Sequence, residues 1–267
     1  MTGNESDLAR IAAALERLAP APPPEADPAH TPVMGWNGSR LVALPPAATL
    51  PAARFHGVDS QIAALRRNFA ALAGRGAAHD SLLWGARGMG KSALTRALAM
   101  EAGLSLVETG ADGLSGAPAL FARLAPCSRA FILFVDDLAF DAGDGAARVL
   151  RSLLDGGVAA RPANVRLVVT SNHRHLLRRA PAHGEQEVRH ARDHMDDELA
   201  LVDRFGLVLG FHPPDQDTYL AMVRGHLAAE GLTPDPEDAI AFALSRGGRS
   251  GRTAWHYRTE VLTRQKR

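Results

Sequence analysis

Cysteine is almost missing from the 267-residue chain: Cys127 stands alone, so no intrachain disulfide can form and the sequence reads as one made for a reducing compartment. An excess of charge is missing too. Thirty Lys and Arg against 29 Asp and Glu leave a formal net charge of +1, which excludes a long-range field toward nucleic acid or acidic lipid and leaves such binding to a local patch. Long apolar runs are also lacking. The most apolar short run, Phe131 to Val135, is far below the ~20 residues a membrane-spanning helix needs. The start, Met1-Thr2-Gly3-Asn4-Glu5-Ser6-Asp7, has neither the basic opening nor the apolar stretch of a secretory leader. These absences predict a cytoplasmic protein without a membrane partner. Lysine is the last scarcity. Only Lys91 and Lys266 occur, so 28 of the 30 basic residues are arginine, and a lysine inside a recognisable motif is then a selective signal.

What is present is enough for a core: 46% of the residues are hydrophobic, sufficient for one good core and a smaller satellite domain. Leu8, Ile11, Leu15 and Leu18 recur at helical spacing before the proline-rich stretch from Pro20 to Pro32. They predict a short amphipathic helix on a semi-rigid linker, a unit covering 1–30. The helix either docks a partner or another subunit, or folds back on its own core. The stretch holding Trp36 and Leu41 to Leu44 is poorly defined, and Asp59 to Leu72 is helical in pattern.

Beyond this the chain alternates. Strand candidates at Ser81 to Trp84, Leu104 to Val107, Phe131 to Val135, Val165 to Thr170 and Leu207 to Phe211 are separated by helical segments such as Ser92 to Glu101 and Ala146 to Leu154. That alternation predicts an α/β fold with a parallel sheet. After Pro213-Pro214 three helical segments follow, at 216–230, 236–245 and 250–264. The predicted organisation is a three-layer core over 31–212 and a small helical lid over 213–267.

The strand Ser81 to Trp84 runs into Gly85-Ala86-Arg87-Gly88-Met89-Gly90-Lys91-Ser92, and a helical segment follows. This is the G-x-x-x-x-G-K-[ST] phosphate loop in its required strand–loop–helix setting. Its glycines let successive N–H groups turn toward one point, the helix start adds the positive end of its dipole, Lys91 offers a mobile charge to phosphates, and Ser92 offers a hydroxyl to Mg²⁺. Asp136 and Asp137 end the apolar strand Phe131 to Val135, where α/β sheets bind ligands. Metal coordination by Asp136 and water activation by Asp137 are natural roles, with a solvated turn as the plainer alternative.

In their order along the chain these residues resemble the AAA+ superfamily of P-loop ATPases, most closely a bacterial branch of ATP-binding proteins of unknown function. The resemblance covers roughly residues 50 to 260. It rests on Phe55 to Gln61, similar to the segment that packs on adenine; on Trp84 to Ser92; on Asp136 to Phe140; on Thr170 to Leu176, similar to a sensor strand; and on Leu201 to Gly206. It implies an ATPase using ATP and Mg²⁺, with Asn172 as the polar sensor that orients water. Arg204 is implied to be a finger inserted into a neighbouring subunit of an oligomer, and Arg252 the lid sensor, with Arg249 as runner-up. The plainer alternatives, which are the less favoured ones, are a surface residue at a strand entrance for Arg204 and a turn cap for Asn172.

Three other readings stand beside an ATPase acting on an unknown protein client. They are a nucleotide-gated switch or adaptor, a small-molecule kinase for which no acceptor segment is visible, and a nucleic-acid-associated loader. The loader would use the basic stretch from His173 to His194, where His173 and His175 are also candidate metal ligands. A solvated loop is the simpler reading of that stretch, since no aromatic is interleaved and no third ligand has metal spacing. Most active members of the superfamily carry Asp-Glu where this chain has Asp136-Asp137, so the base is one methylene shorter. Because geometry governs general-base efficiency, phosphate release from Mg-ATP is expected to be slow; fast steady-state turnover would contradict this reading of Asp137.

Overall fold

The computed structural model describes residues 3–18, 24–46, 49–138, 145–156, 161–172 and 199–265. An N-terminal helix, α1 (Gly3–Leu18), precedes strands β1 (Val33–Trp36) and β2 (Leu41–Ala43) and helix α2 (Asp59–Ala73). The alternating part follows as β3 (Ser81–Gly85), α3 (Lys91–Glu101), β4 (Ser105–Thr109), α4 (Ala117–Leu124), β5 (Phe131–Val135), α5 (Gly145–Leu154), β6 (Val165–Ser171) and β7 (Leu207–Phe211). Helices α6 (Gln216–Ala228), α7 (Pro236–Ser245) and α8 (Gly251–Gln265) end the described chain. The strands form one seven-stranded sheet in the order β2-β1-β4-β5-β6-β3-β7.

β5 explains why this becomes a three-layer sandwich. All five of its residues are buried, and their side chains alternate between the two faces of the sheet as a strand requires. Phe131, Leu133 and Val135 join the core that holds Leu120, Phe121 and Leu150 of α4 and α5. Ile132 and Phe134 join the other, which holds Leu65 and Phe69 of α2, Leu94 and Leu98 of α3, and Tyr219 and Tyr257 of α6 and α8. The C-terminal helices therefore share the core of the α2/α3 layer.

Two strands lie where the sequence is poorly patterned. β1 runs parallel to β4 and β2 returns antiparallel on β1, which makes the outer edge of the otherwise parallel sheet antiparallel. The turn between them is built by Asn37, whose side-chain oxygen accepts from the backbone N–H groups of Ser39 and Arg40 at 3.1 and 2.9 Å. Gly38 adopts φ +97 in that turn. An Asn-Gly pair between short apolar runs is a hairpin signal; at three and four residues the runs are too short to show alternation. On α1, Ile11 and Leu15 are 56% and 59% exposed, so these two stripe residues do not pack on the core. Among the described residues no helix is long and apolar enough to cross a membrane.

At the amino ends of the strands, opposite the phosphate loop, Asp80 ties three strands together. Its backbone carbonyl accepts from Leu207 N–H at 3.1 Å, its Oδ1 from Leu167 N–H at 2.8 Å, and its Oδ2 pairs with Arg161 at 2.5 Å. Removing one partner of a largely buried pair leaves the other charge uncompensated. Asp80→Ala is expected to lower unfolding stability by about 3 kcal/mol, measured by urea denaturation; a change within about 0.5 kcal/mol, the size of a surface substitution, would contradict the role assigned to Asp80.

Candidate functional site

β3 delivers the glycine-rich loop to the carboxyl end of the sheet, next to the last residue of β7. Gly85 has φ +124, and a Cβ there would stand 2.1 Å from the carbonyl oxygen of Phe211. Only glycine permits that approach, which lets Ala86 N–H donate to the Phe211 carbonyl at 2.9 Å and carry strand pairing into the loop. Gly88, φ +76, faces the C-terminal helices: a Cβ there would come within 3.0 Å of Arg252 Cβ and Ser250 Oγ. Across that gap Arg252 N–H donates to Gly88 O at 2.9 Å, docking the start of α8 on the loop.

Lys91 opens α3 and is only 6% exposed. Its ammonium donates to Gly85 O at 2.8 Å, Ala86 O at 3.0 Å and Asn172 Oδ1 at 2.9 Å. Burial pushes the group down to about 8; the nearby carboxylates of Asp137 and Asp136 oppose the fall, and the Arg252 and Arg87 cations add to it. Beside it, Ser92 Oγ donates to Asp136 Oδ1 at 2.5 Å, and Thr170 Oγ1 donates to the same oxygen at 2.6 Å. Asp137 N–H donates to Thr170 Oγ1 at 2.8 Å. Asp137 has φ +54, a left-handed conformation that aspartate tolerates better than most residues. Its Oδ1 accepts from the Asn172 amide.

These groups line a cleft of about 500 Å³, the size of a small-molecule site. Its chemistry fits Mg²⁺ with a nucleotide. The hydroxyl of Ser92 and the carboxylate of Asp136 are hard oxygen donors, and Mg²⁺ is commonly held by one or two carboxylates together with substrate phosphates. Among the described residues no three His, Cys, Asp or Glu side chains converge as a metal cage. A cation here would therefore complete its shell with oxygens of a ligand and of water.

The far end of the cleft is made of residues distant in sequence. Phe55, His56 and Val58 come from the segment before α2, Met222 and His226 from α6, and Trp255 from α8. Arg54 Nη2 donates to the carbonyls of Gly225 and His226 at 3.2 Å each, pinning the two sides together. His226 is buried edge-on against Trp255, 5.4 Å between centroids. Burial, reinforced by the nearby Arg54, His56 and Arg258 side chains, pushes His226 down to about 4, which keeps the ring neutral at physiological pH.

The structure thus brings Gly88, Lys91, Ser92, Asp136, Asp137, Asn172 and Arg252 to one cleft, along with Arg87, Met89 and Gly90. Gly85 and Ala86 reach it through their carbonyls on Lys91. Arg249, the runner-up to Arg252, is exposed and its charge acts on Asp215 instead. Arg204 is outside this cleft, bonded to Asp155 Oδ1 at 2.6 Å and to the Ala200 carbonyl. The His173 to His194 stretch, with its metal and nucleic-acid readings, lies outside the described residues. Sequence reasoning missed Arg54, Met222, His226 and Trp255 as cleft residues and gave Thr170 and Arg96 no role. The spacing of Met222 and His226, one helical turn apart, is the only signal that marks a shared face.

Over residues 29–265 the sequence matches the family model described as "Protein of unknown function (DUF815)". None of the curated proteins matches it. Among solved structures, Thermotoga maritima RuvB Holliday junction branch migration motor aligns with 21% identity and a TM-score of 0.53, covering 82% of this chain and 65% of that one. Two point mutants of Thermotoga maritima RuvB align with 18% and 20% identity and a TM-score of 0.55, covering 81% and 80% of this chain and 66% and 64% of theirs. The chain thus spans slightly less than two thirds of these structures, and at such identities the likeness is one of fold: a mostly parallel α/β sheet followed by helices.

The state of Lys91 generates a pH prediction. Free Lys91 loses its proton as pH rises through about 8, whereas an anionic phosphate favours the charged form and raises that value. Nucleotide affinity is therefore expected to be flat below that point and to fall above it by up to about tenfold per pH unit, with proton uptake on binding. Isothermal titration in buffers of different ionisation enthalpy measures both. Constant affinity to pH ~10 without proton uptake would contradict it.

Proposed function

The chain belongs to the DUF815 family, and from that premise we propose that it binds Mg-ATP in this cleft and hydrolyses it slowly, coupling the nucleotide state to movement of the C-terminal helices against the core. The observation that carries the reading is the meeting of Lys91, Ser92 and Asp136 below a glycine loop whose Gly88 carbonyl is capped by Arg252 N–H. Whatever enters between loop and helices must contact both.

In this reading the loop amides and Lys91 hold the phosphates, and Ser92 and Asp136 hold Mg²⁺, which supplies Lewis-acid stabilisation of the charge that develops on the phosphoryl oxygens. Asp137 takes a proton from the attacking water while Asn172 fixes the direction of its carboxylate. Arg252, entering from residues 213–267, senses the nucleotide as a lid. Phe55, Val58, Met222 and Trp255 supply an apolar slot for the base. Arg204, which lies outside its own cleft, would serve a neighbouring subunit once released from Asp155. Such a finger is worth on the order of 10³ to 10⁵ in rate, so assembly governs turnover. The 1–30 unit is assigned to docking, with an unidentified protein client, since Ile11 and Leu15 are exposed.

A switch in which hydrolysis is incidental is favoured by one feature: the Asp137 carboxylate is engaged by Asn172 and lies 4.0 Å from Arg87, neither of which leaves it a free base. An association with nucleic acid rests on fold likeness to a protein described as a branch migration motor and on the arginines of 173–194. It would show as salt-dependent binding.

Phosphate release is measured across protein concentrations for the native chain and for Lys91→Ala, Asp137→Ala and Arg204→Ala. Specific activity that rises with concentration in the native chain and falls at least about 100-fold in each variant is the expected result. ATP binding lost in Lys91→Ala without phosphate release at any concentration would replace hydrolysis with the switch. Failure of the native chain to bind ATP would remove both.

A further inference from the structure

Asp136 is gripped from both sides. On the cleft side Ser92 and Thr170 hydroxyls donate to Oδ1. On the other, Arg96 Nη2 reaches Oδ2 at 3.5 Å. Arg96 follows Ser92 by one helical turn on α3, so both side chains leave the same face of the helix toward the same carboxylate. Its guanidinium is itself fixed. It makes a two-pronged pair with Glu108 on β4, at 2.7 and 3.2 Å, and lies over the ring of Phe134, 5.1 Å from the centroid. Neither Arg96 nor Glu108 lines the nucleotide cleft; both line a neighbouring hollow of about 450 Å³, and Asp136 lines both. Among the described residues, the side-chain contact of the pair with the site is the one Arg96 makes to Asp136.

We propose that the Arg96–Glu108 pair positions Asp136 so that only Oδ1 is offered to a cation, making the site selective for small octahedral Mg²⁺ over Ca²⁺. The proposal rests on the Mg-ATP reading above. Ca²⁺ takes six to eight oxygens and often both oxygens of one carboxylate, whereas Mg²⁺ takes six in a tight octahedron and is satisfied with one. With Oδ2 held toward Arg96, the second oxygen that Ca²⁺ favours is turned out of the cleft. Glu108 matters because it neutralises Arg96. An uncompensated guanidinium beside Asp136 would repel any cation, while the ion pair leaves the local charge to Asp136 and Asp137. The two-pronged hold also explains arginine in place of lysine: a point charge can face Glu108 or Asp136, and only a planar fork spans both with fixed direction.

The test reads metal-dependent binding, not turnover. A fluorescent non-hydrolysable ATP analogue is titrated with Mg²⁺ and with Ca²⁺ in the presence of the native chain, of the charge-neutral double variant Arg96→Met with Glu108→Gln, and of Arg96→Lys, with thermal melts to establish that each is folded. The native chain is expected to need more Ca²⁺ than Mg²⁺ for half-saturation. Both variants should lower that ratio by about tenfold, the size of effect typical when a group orienting a metal ligand is lost. Arg96→Lys keeps charge and stem and is the variant to read if the double replacement does not fold. An unchanged ratio alongside intact Mg²⁺-dependent binding overturns the positioning role and leaves the proposed function standing. A native chain whose analogue binding ignores both metals overturns the two together.

Discussion

Everything at the site turns on one buried cation. An ammonium withdrawn from water must find hydrogen-bond partners or lose its proton, and Lys91 finds two loop carbonyls and the Asn172 amide oxygen. This requirement joins three elements that no local rule connects. The loop must curl back on the first residue of α3, Gly85 must lie against Phe211 to allow the curl, and the end of β6 must present Asn172 from the neighbouring strand. The same constraint makes Lys91 easily displaced. Its partners are neutral oxygens, weaker acceptors for an ammonium than an anionic phosphate.

A second layer of order follows from how charge is shared around Asp136 and Asp137. Two adjacent carboxylates at a strand end repel, and the structure separates their tasks through different partners. Asp136 faces the Ser92 and Thr170 hydroxyls, with Arg96 behind it. Asp137, with its left-handed backbone, turns toward Asn172 and the Arg87 side of the loop. Thr170 is the pivot, donating to one aspartate and accepting from the backbone of the next. One carboxylate is thus arranged toward hydroxyls, the other toward the amide that also touches Lys91.

Much of this is written locally and some is not. The β5 strand stands out in the sequence because five consecutive apolar residues end in two acids, and its bounds in the structure are the same, Phe131–Val135. The phosphate loop and the C-terminal helices are legible for the same reason: glycine, proline and capping residues act within a few positions. Asp215, for example, caps α6 by accepting from Thr218 N–H at 2.8 Å. β1 and β2 are too short to display a period, so their place on the sheet edge is decided by pairing with β4, a long-range fact. The far end of the cleft is likewise long-range, since Arg54 meets Gly225 and His226 across more than 170 positions. Arg96 has no motif at all, and its link to Glu108 and Asp136 exists only because α3 lies across β4 and β5.

A nucleotide seated in the cleft would touch both the phosphate loop and the C-terminal helices. Hydrogen–deuterium exchange of the native chain, with and without Mg²⁺ and a non-hydrolysable ATP analogue, tests it directly because amides of both walls are read in one experiment. Slowed exchange at residues 85–92 together with 251–257 is the predicted result. Unchanged exchange across both segments at saturating analogue, or protection of the loop without the helix, would contradict a site closed by the two.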